Sequence, residues 1–182
     1  MISDKELIYR CRKQDKEAQR LLFEKYKGKL LGICLRYAKS KTEAEDVLQD
    51  SFIKIFQSFN QNDEREIKSL SAWLSRITIN TSIDQYYKNK KHNNDSIDNL
   101  AFHAEIADTE TALENMQAND LIRLIQSMPD RFRVIFNLYI IEGYNHAEIA
   151  ERLNIAESAS RSHLTRAKAW LRERIKKNEV IV

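Results

Sequence analysis

The chain has 182 residues, of which 42% are hydrophobic and 31% charged, with only three glycines and one proline. Such a chain can bury a core, and its composition favours helices over turn-rich sheets. Thirty basic residues against 27 acidic ones leave a net charge of only +3. This excludes overall charge as the means of binding a polyanion, so an anionic partner must bind a local basic patch.

Cysteine usage and the first residues of the chain bear on the compartment. Cys11 and Cys34 have no partner at metal-ligand spacing, and their scarcity is typical of a reducing environment. The start, MISDKELIYRCRKQD, is charged throughout, and no run reaches the ~18 apolar residues of a membrane span. We therefore expect a cytoplasmic protein with no metal or other cofactor and no direct membrane insertion.

The first half of the chain repeats apolar residues at helical spacing. Residues 16–38 predict an amphipathic helix whose inner face is Leu22, Tyr26, Leu30, Ile33 and Tyr37. A second helix is predicted with Thr42 as its N-cap and Glu45 completing a capping box. Its apolar stripe is Ala44, Leu48, Phe52, Ile55 and Phe59.

Polar residues of the second and third helices form their own patterns. Asp46, Gln49 and Asp50 fall together on one polar face of the second helix. A polar loop at residues 60–69 precedes a third helix through AWLSRITINTSIDQYYKNKK, with Trp73, Ile77 and Ile83 turned inward. The end of this helix is basic and aromatic, which by itself is typical of a solvated surface.

Residues 92–115 contain aspartate and glutamate but no lysine or arginine. An acidic, weakly periodic segment between two basic-ended helical regions is typical of a flexible linker. The sequence therefore predicts two helical domains, residues 1–91 and 116–182, joined by this linker.

The second domain is marked by turn and cap residues. Pro129 suits the start of a helix through FRVIFNLYII, and Gly143 suits the left-handed position that ends it. Asn145 is predicted to cap a short helix with Glu148 at the capping-box position. Asn154 tolerates the left-handed conformation of a tight turn between helices.

The last helix, after Ile155, separates apolar from basic residues. Its predicted buried face is Leu164, Ala167, Leu171 and Ile175. The opposite side carries Arg161, Arg166, Lys168, Arg172, Arg174, Lys176 and Lys177, with only Glu173 against them. Two helices joined by a short turn, the second basic near its N-terminus, describe a helix-turn-helix whose second helix can enter the major groove of DNA.

At this level of detail the sequence resembles a known family. MPDRFRVIFNLYIIEGYNHAEIAERLNI and SRSHLTRAKAWLRERI resemble the promoter-binding C-terminal region of extracytoplasmic-function (ECF) sigma factors, small two-domain sigma subunits of bacterial RNA polymerase. TEAEDVLQDSFIKIFQSF and AWLSRITINTSIDQYYKNKK are similar to that family's polymerase-binding helix and its -10 reading helix. The resemblance implies an all-α protein that directs core RNA polymerase to promoters without catalysing a reaction itself.

For the first domain, the resemblance implies two contact surfaces. Asp46, Gln49 and Asp50 would dock on the clamp coiled coil of the polymerase's largest subunit, where carboxylates pair with arginines. The loop before Trp73, with Lys68 and Ser69, would join Asn80 in capturing a base flipped from the -10 element. The phosphate contacts would come from Arg76, Lys88, Lys90 and Lys91. A buried structural role for Asn80 is an equal alternative.

For the second domain, the resemblance implies -35 contacts by Ser160, Arg161, Ser162, His163, Thr165 and Arg166. Lys168 and Arg172 are expected at phosphate or solvent. The chain departs from the family at residues 156–159, where Ala-Glu-Ser-Ala replaces a Ser/Thr/Pro, Glu, Gly, Thr run. Ala156 is a poor N-cap, and Ser158 is a candidate cap one turn later.

The expected partners are core RNA polymerase, promoter DNA and an anti-sigma factor, with the acidic linker imitating RNA in the polymerase channel. Two other classes remain open from the residues alone. One is a dimeric DNA-binding regulator, which would bind a palindrome without polymerase. The other is a helical nuclease with Asp46, Asp50 and Asp84 as metal ligands.

Overall fold

A computed structural model describes residues 2–60, 67–92 and 118–179. These residues are helical apart from caps and short turns, which confirms the predicted all-α fold. The chain divides into two compact units, residues 1–91 and 92–182. The predicted linker lies outside the described residues, except for the backbone of His92. No helix in the described part of the chain combines the length and apolarity that crossing a membrane requires.

The N-terminal unit is built on amphipathic helices. Its described helices are α1 (Asp4–Arg12), α2 (Lys16–Tyr37), α3 (Lys41–Asn60) and α4 (Leu70–His92). The Asp15 side chain caps α2 by accepting hydrogen bonds from the backbone N–H groups of Glu17 and Ala18. All five residues predicted on the inner face of the α2 helix are buried, and so are all five of the predicted α3 stripe. Helical periodicity alone therefore identified this core.

The start of α3 differs from the prediction. Ser40 Oγ accepts a hydrogen bond from the Glu43 N–H at 3.2 Å, and the Glu43 carboxylate accepts one from the Lys39 N–H at 2.6 Å. Thr42 and Glu45 therefore lie inside the helix, and the prediction that Thr42 is its N-cap was wrong. Serine and threonine are both competent caps, so the path of the preceding backbone decides which one is used.

Helix α4 runs antiparallel to α3. Near one end of the pair, the Asn89 side chain donates a hydrogen bond to the Glu43 carboxylate, and at the other the rings of Phe59 and Trp73 lie 4.9 Å apart. The helix turns Leu70, Leu74, Ile79 and Ile83 into the core. Trp73 and Ile77, which were predicted to point inward, are only half-buried. The packed face of α4 is thus rotated slightly from the predicted one.

The described helices of the C-terminal unit are α5 (Ala118–Gln126), α6 (Asp130–Phe136), α7 (His146–Leu153) and α8 (Glu157–Glu179). A π-helical turn, Asn137–Ile141, extends α6, because the Glu142 N–H bonds the Asn137 carbonyl five residues back at 2.9 Å. Gly143 then takes φ 76°, the left-handed conformation predicted for it.

Helices α7 and α8 form the predicted helix-turn-helix. Asn145 caps α7 in a full capping box, with the Glu148 carboxylate accepting a hydrogen bond from the Asn145 N–H at 2.8 Å. Asn154 ends α7 at φ 46° and ψ 53°, as predicted. The predicted buried face of α8 is also confirmed. Cap and turn residues thus placed both ends of the short helix correctly.

Arg133 anchors the junction of α5 and α6 from inside the core. Its side chain is 4% exposed, and its guanidinium donates to the carbonyls of Gln126 and Met128, each at 2.9 Å. It also pairs with Asp130 at the start of α6. A buried arginine is stable only when its donors are satisfied. The carbonyl of Gln126, the last residue of α5, and that of Met128 just after the helix provide acceptors for it.

Replacing Arg133 by methionine should destabilise the C-terminal unit by about 2–4 kcal/mol, because two carbonyls lose their donor and Asp130 loses its cation. The matched control is Arg123→Met, since the Arg123 side chain is 81% exposed and 3.9 Å from Asp120, and such a pair contributes at most about 1 kcal/mol. Urea unfolding in a Trp73→Phe background, with buried Trp170 as the only tryptophan, measures both. Equal losses in the two variants would contradict the anchoring role.

Candidate functional site

The first candidate surface, the α3 face, consists of Asp46, Gln49, Asp50 and Ile53. Asp46 and Gln49 are exposed, Asp50 is half-buried, and Ile53 is 54% exposed. Sequence reasoning did not include Ile53, although its position three residues after Asp50, off the apolar stripe, was a usable signal. An exposed isoleucine beside carboxylates offers a protein partner apolar contact as well as charge pairing.

The second candidate surface, the α4 row, follows one side of α4 at four-residue steps. Its members, all exposed, are Arg76, Asn80, Asp84 and Lys88. Lys90 is also exposed near the end of the helix, whereas the Lys91 side chain lies outside the described residues. Lys68 and Ser69 are exposed just before the helix, where Ser69 Oγ accepts a hydrogen bond from the Ala72 N–H at 3.3 Å. The Ser69 hydroxyl therefore caps α4 in addition to any role in binding.

The exposure of Asn80 argues against the buried structural role considered for it. A structural asparagine would be buried with its amide satisfied by the core. Asn80 is instead at the surface, in the α4 row, so its side chain is accessible to a ligand. Trp73, one face of which lies against Phe59, belongs to the packing between α3 and α4.

Two ion pairs join helix α3 to the α4 row. Lys54 Nζ lies 2.6 Å from Asp84 Oδ2, and Lys88 Nζ lies 3.9 Å from Asp50 Oδ2. All four side chains are about half-exposed or more, so each pair contributes at most about 1 kcal/mol. A charged partner can therefore break either ion pair at little cost and bind one of its side chains.

The nuclease hypothesis required acidic side chains that converge on a metal ion. Asp50 and Asp84 are each beside a lysine instead. Within residues 2–60, 67–92 and 118–179, no three histidine, cysteine or acidic side chains are grouped so as to hold a metal ion.

Both cysteines are buried. Burial raises the pKa of Cys11 to about 11 and that of Cys34 to about 12, so both thiols are protonated at neutral pH.

The third candidate surface, the α8 face, consists of Arg161, Ser162, Thr165 and Arg166. The first three are exposed and Arg166 is half-buried. Arg161 pairs with Glu157 one turn earlier, and the Thr165 hydroxyl donates to the Arg161 carbonyl at 3.1 Å. Guanidinium and hydroxyl groups in the first turns of such a helix are suited to base edges and phosphates in a major groove.

Of the residues predicted as -35 contacts, Ser160 is turned away from the α8 face and His163 lies at its margin. Ser160 is fully buried, and its hydroxyl shares a 3.0 Å hydrogen bond with His146 Nδ1. His163 is half-buried, with its ring 6.2 Å from that of Phe132. The inclusion of Ser160 among the DNA contacts is therefore corrected: adjacent helical residues point about 100° apart, so a contiguous run cannot all face one partner.

The start of α8 is also defined. The helix begins at Glu157, and the Ala156 carbonyl accepts a hydrogen bond from the Ser160 N–H at 3.1 Å. Ala156 thus takes the N-cap position although it has no side-chain acceptor. Ser158 lies within the first turn, so the alternative in which it caps the helix later was wrong.

The remaining basic residues extend the positive surface along α8. Lys168 and Arg172 are half-buried, and Lys176 is exposed. The Arg174 guanidinium lies 4.9 Å above the Trp170 ring in a cation–π contact. The side chain of Lys177 lies outside the described residues.

The buried His146 makes the stability of the C-terminal unit depend on pH. Burial lowers the pKa of its imidazole, and Arg161 lowers it further, while Glu157 opposes this and Lys168 adds to it. The unfolded chain, with an ordinary histidine pKa of about 6.5, binds the proton more readily than the folded chain does. The contribution of His146 to stability should therefore be constant above about pH 7.5 and decrease as the pH falls through 6.5.

Urea unfolding of the Trp73→Phe protein at successive pH values, followed by Trp170 fluorescence, measures this dependence. In the His146→Asn variant, the part of the decrease in unfolding free energy that comes from His146 should be absent. An unchanged slope below pH 6.5 in His146→Asn would assign the dependence to other groups.

Comparisons with known proteins find a sigma-factor match for each of the two units. The family model for sigma-70 region 2 matches residues 22–92, and that for sigma-70 region 4 matches residues 118–171. The RNA polymerase sigma-H factor of Pseudomonas aeruginosa is 30% identical over 176 residues, covering 91% of this chain and 90% of that protein. The ECF RNA polymerase sigma-E factor of Haemophilus influenzae is 29% identical over 185 residues, covering 96% of each.

Two solved structures are similar in fold. The sigma factor RpoE of Bartonella quintana, solved with the anti-sigma factor NepR, has a TM-score of 0.52 at 22% identity, covering 86% of this chain and 96% of that one. CnrH, solved with the cytosolic domain of CnrY, has a TM-score of 0.50 at 20% identity, covering 96% and 97%. Both likenesses concern the helical fold.

Proposed function

The chain belongs to the ECF sigma factors of the sigma-70 family and acts in transcription initiation, and from this premise we propose that it binds core RNA polymerase and directs it to promoters through their -35 and -10 elements. The protein itself then needs no catalytic residues, since the polymerase performs the chemistry. The observation that carries the proposal is the order of the two matched regions, each with exposed groups suited to its role.

The α3 face is the proposed polymerase-docking surface. Asp46 and Asp50 would pair with arginines of the clamp coiled coil in the largest polymerase subunit, with Gln49 adding hydrogen bonds. Ile53, at 54% exposure, would supply the apolar contact. Protein–protein interfaces commonly combine a few anchoring residues with surrounding contacts that exclude water.

The α4 row is the proposed -10 surface. Asn80, with the loop residues Lys68 and Ser69, would hold a base that has left the stack, because an exposed amide can bond the edge that base pairing has vacated. Phosphates of the opened strand would be held by Arg76, Lys88, Lys90 and Lys91. The exposure of Asn80 and Arg76 one turn apart supports this assignment.

The α8 face is the proposed -35 surface. Arg161 and Arg166 would reach guanine edges, with Ser162 and Thr165 as further polar contacts. His163 lies at the margin, between this surface and α6. Lys168 and Arg172 would contact phosphate.

The remaining parts of the proposal concern location and regulation. A protein of this kind would act in the cytoplasm and be held inactive by an anti-sigma factor, as the solved neighbours RpoE and CnrH were captured with the partners NepR and CnrY. The acidic segment at residues 92–115 would occupy the nucleic-acid channel of the polymerase as an imitation of RNA.

Run-off transcription with purified core RNA polymerase on a pool of genomic promoters tests the proposal. Addition of the protein should produce discrete new start sites, from which the -10 and -35 sequences can be read. Silence, together with a palindromic DNA fragment shifted by the protein alone, would favour a dimeric regulator instead.

Asp50→Lys should abolish most assembly with core polymerase, because it places a cation where arginines of the clamp would dock. Co-elution with core enzyme in gel filtration measures assembly. Glu24→Lys on α2, exposed and on a different helix, is the control with the same charge change and should assemble normally. Normal assembly of Asp50→Lys would remove Asp50 from the docking surface.

Arg161→Ala and Arg166→Ala should each weaken -35 recognition by about 1–3 kcal/mol and leave polymerase binding unchanged. The measurement is initiation by reconstituted holoenzyme on a -35-dependent promoter across a concentration series. Arg123→Ala, on exposed α5 surface, is the control for loss of one positive charge. Wild-type initiation by both α8 variants would refute their assignment as readers.

A further inference from the structure

A buried hydrogen bond joins α7 and α8 close to the N-terminal end of each. His146 is the first residue of α7, and Ser160 lies in the first turn of α8. Their side chains meet at 3.0 Å, with His146 8% exposed and Ser160 fully buried. Buried polar groups are costly unless they are paired, so this bond constrains how the two helices sit against each other.

Apart from this bond, the polar side-chain contacts described in the first turn of α8 are weak. Ala156 at the N-cap position has no side chain that could accept from the free N–H groups of the turn. The Glu157–Arg161 pair is exposed at both side chains and so contributes at most about 1 kcal/mol. The His146–Ser160 bond is the buried polar contact described in this turn.

The His146 ring is itself held in place. The Tyr139 ring stacks on it with centroids 4.5 Å apart and planes 25° from parallel. Tyr139 belongs to the π-helical turn that extends α6. The contacts therefore run from that turn through His146 to Ser160, the residue directly before Arg161.

We propose that His146 is a positioning residue for -35 recognition: through Ser160 it fixes the first turn of α8, and thereby the direction in which Arg161 and Ser162 face DNA. This inference rests on the proposed role of the α8 face. Base discrimination depends on bidentate geometry, and a recognition group must be held to within about half an ångström to discriminate. Loss of the bond should therefore reduce discrimination between base pairs more than it reduces assembly with polymerase.

Three variants of the full-length chain isolate the bond. His146→Phe keeps a ring against Tyr139 and removes Nδ1, whereas Ser160→Ala removes the hydroxyl. His146→Asn keeps a polar atom at the position of Nδ1, two bonds from Cβ, and should rescue the contact. Ile135→Val, in the α6 core, is the control for general loss of stability.

The first readout is amide hydrogen exchange at residues 160–163 in the protein without polymerase or DNA. Exchange should be about three- to tenfold faster in His146→Phe and Ser160→Ala, the effect of losing one hydrogen bond. The double variant should exchange no faster than either single variant, because both remove the same bond. His146→Asn should resemble the wild type. Unchanged exchange in all variants would overturn the inference.

The second readout is the ratio of initiation from a promoter and from its single-base-pair -35 variant. That ratio should fall about three- to tenfold in His146→Phe and Ser160→Ala, with co-elution with core enzyme unchanged, and be restored in His146→Asn. Faster exchange with an unchanged ratio, or an equal fall in Ile135→Val, would reduce His146 to a structural residue and overturn the inference. Silence of the wild-type protein would instead refute the proposed function on which it rests.

Discussion

The left-handed backbone of Asn154 is the constraint on which the C-terminal unit depends. At φ 46° and ψ 53° it ends α7 and sends the chain into α8 within two residues. That turn allows Ile149 and Leu153 of α7 to share a core with Leu164 and Leu171 of α8. Once the apolar side of α8 is committed to this core, Arg161 and Ser162 are left on the outside. The side of α8 that is proposed to face DNA is thus a consequence of the turn.

The N-terminal unit places its charges by a different means. Antiparallel packing of α3 and α4 sets Asp50 beside Lys88 and Lys54 beside Asp84. These exposed pairs add little stability, but they keep opposite charges close at the edge where the proposed polymerase and -10 surfaces meet. A partner that binds one member of such a pair would therefore leave the other member without its counter-charge.

Arginine has two opposite roles in the C-terminal unit, and burial separates them. Arg133 is enclosed and donates to the carbonyls of Gln126 and Met128, whereas Arg161 is at the surface and only weakly held by Glu157. An enclosed arginine maintains the fold, and an exposed one can exchange its partner for a phosphate or a guanine. His146 and Ser160 resemble Arg133 in this respect, because both are buried and each is the hydrogen-bond partner of the other.

The sequence by itself predicted the long helices of both units and the caps and turns that bound α7, and it marked three candidate contact surfaces, because helical periodicity and cap chemistry are local properties of neighbouring residues. It did not predict α1 or the Asp15, Ser40 and Ser69 caps. It predicted the buried faces of α2, α3 and α8, the Asn145 capping box and the turn at Asn154. The structure decided that Ser40 and not Thr42 caps α3, that Asn80 is exposed, and that Ser160 is buried against His146. The α3 cap depends on the path of the backbone before the helix. The exposure of Asn80 and the burial of Ser160 depend on the rotation of one helix against another, a relation between residues far apart in the chain that no local pattern encodes.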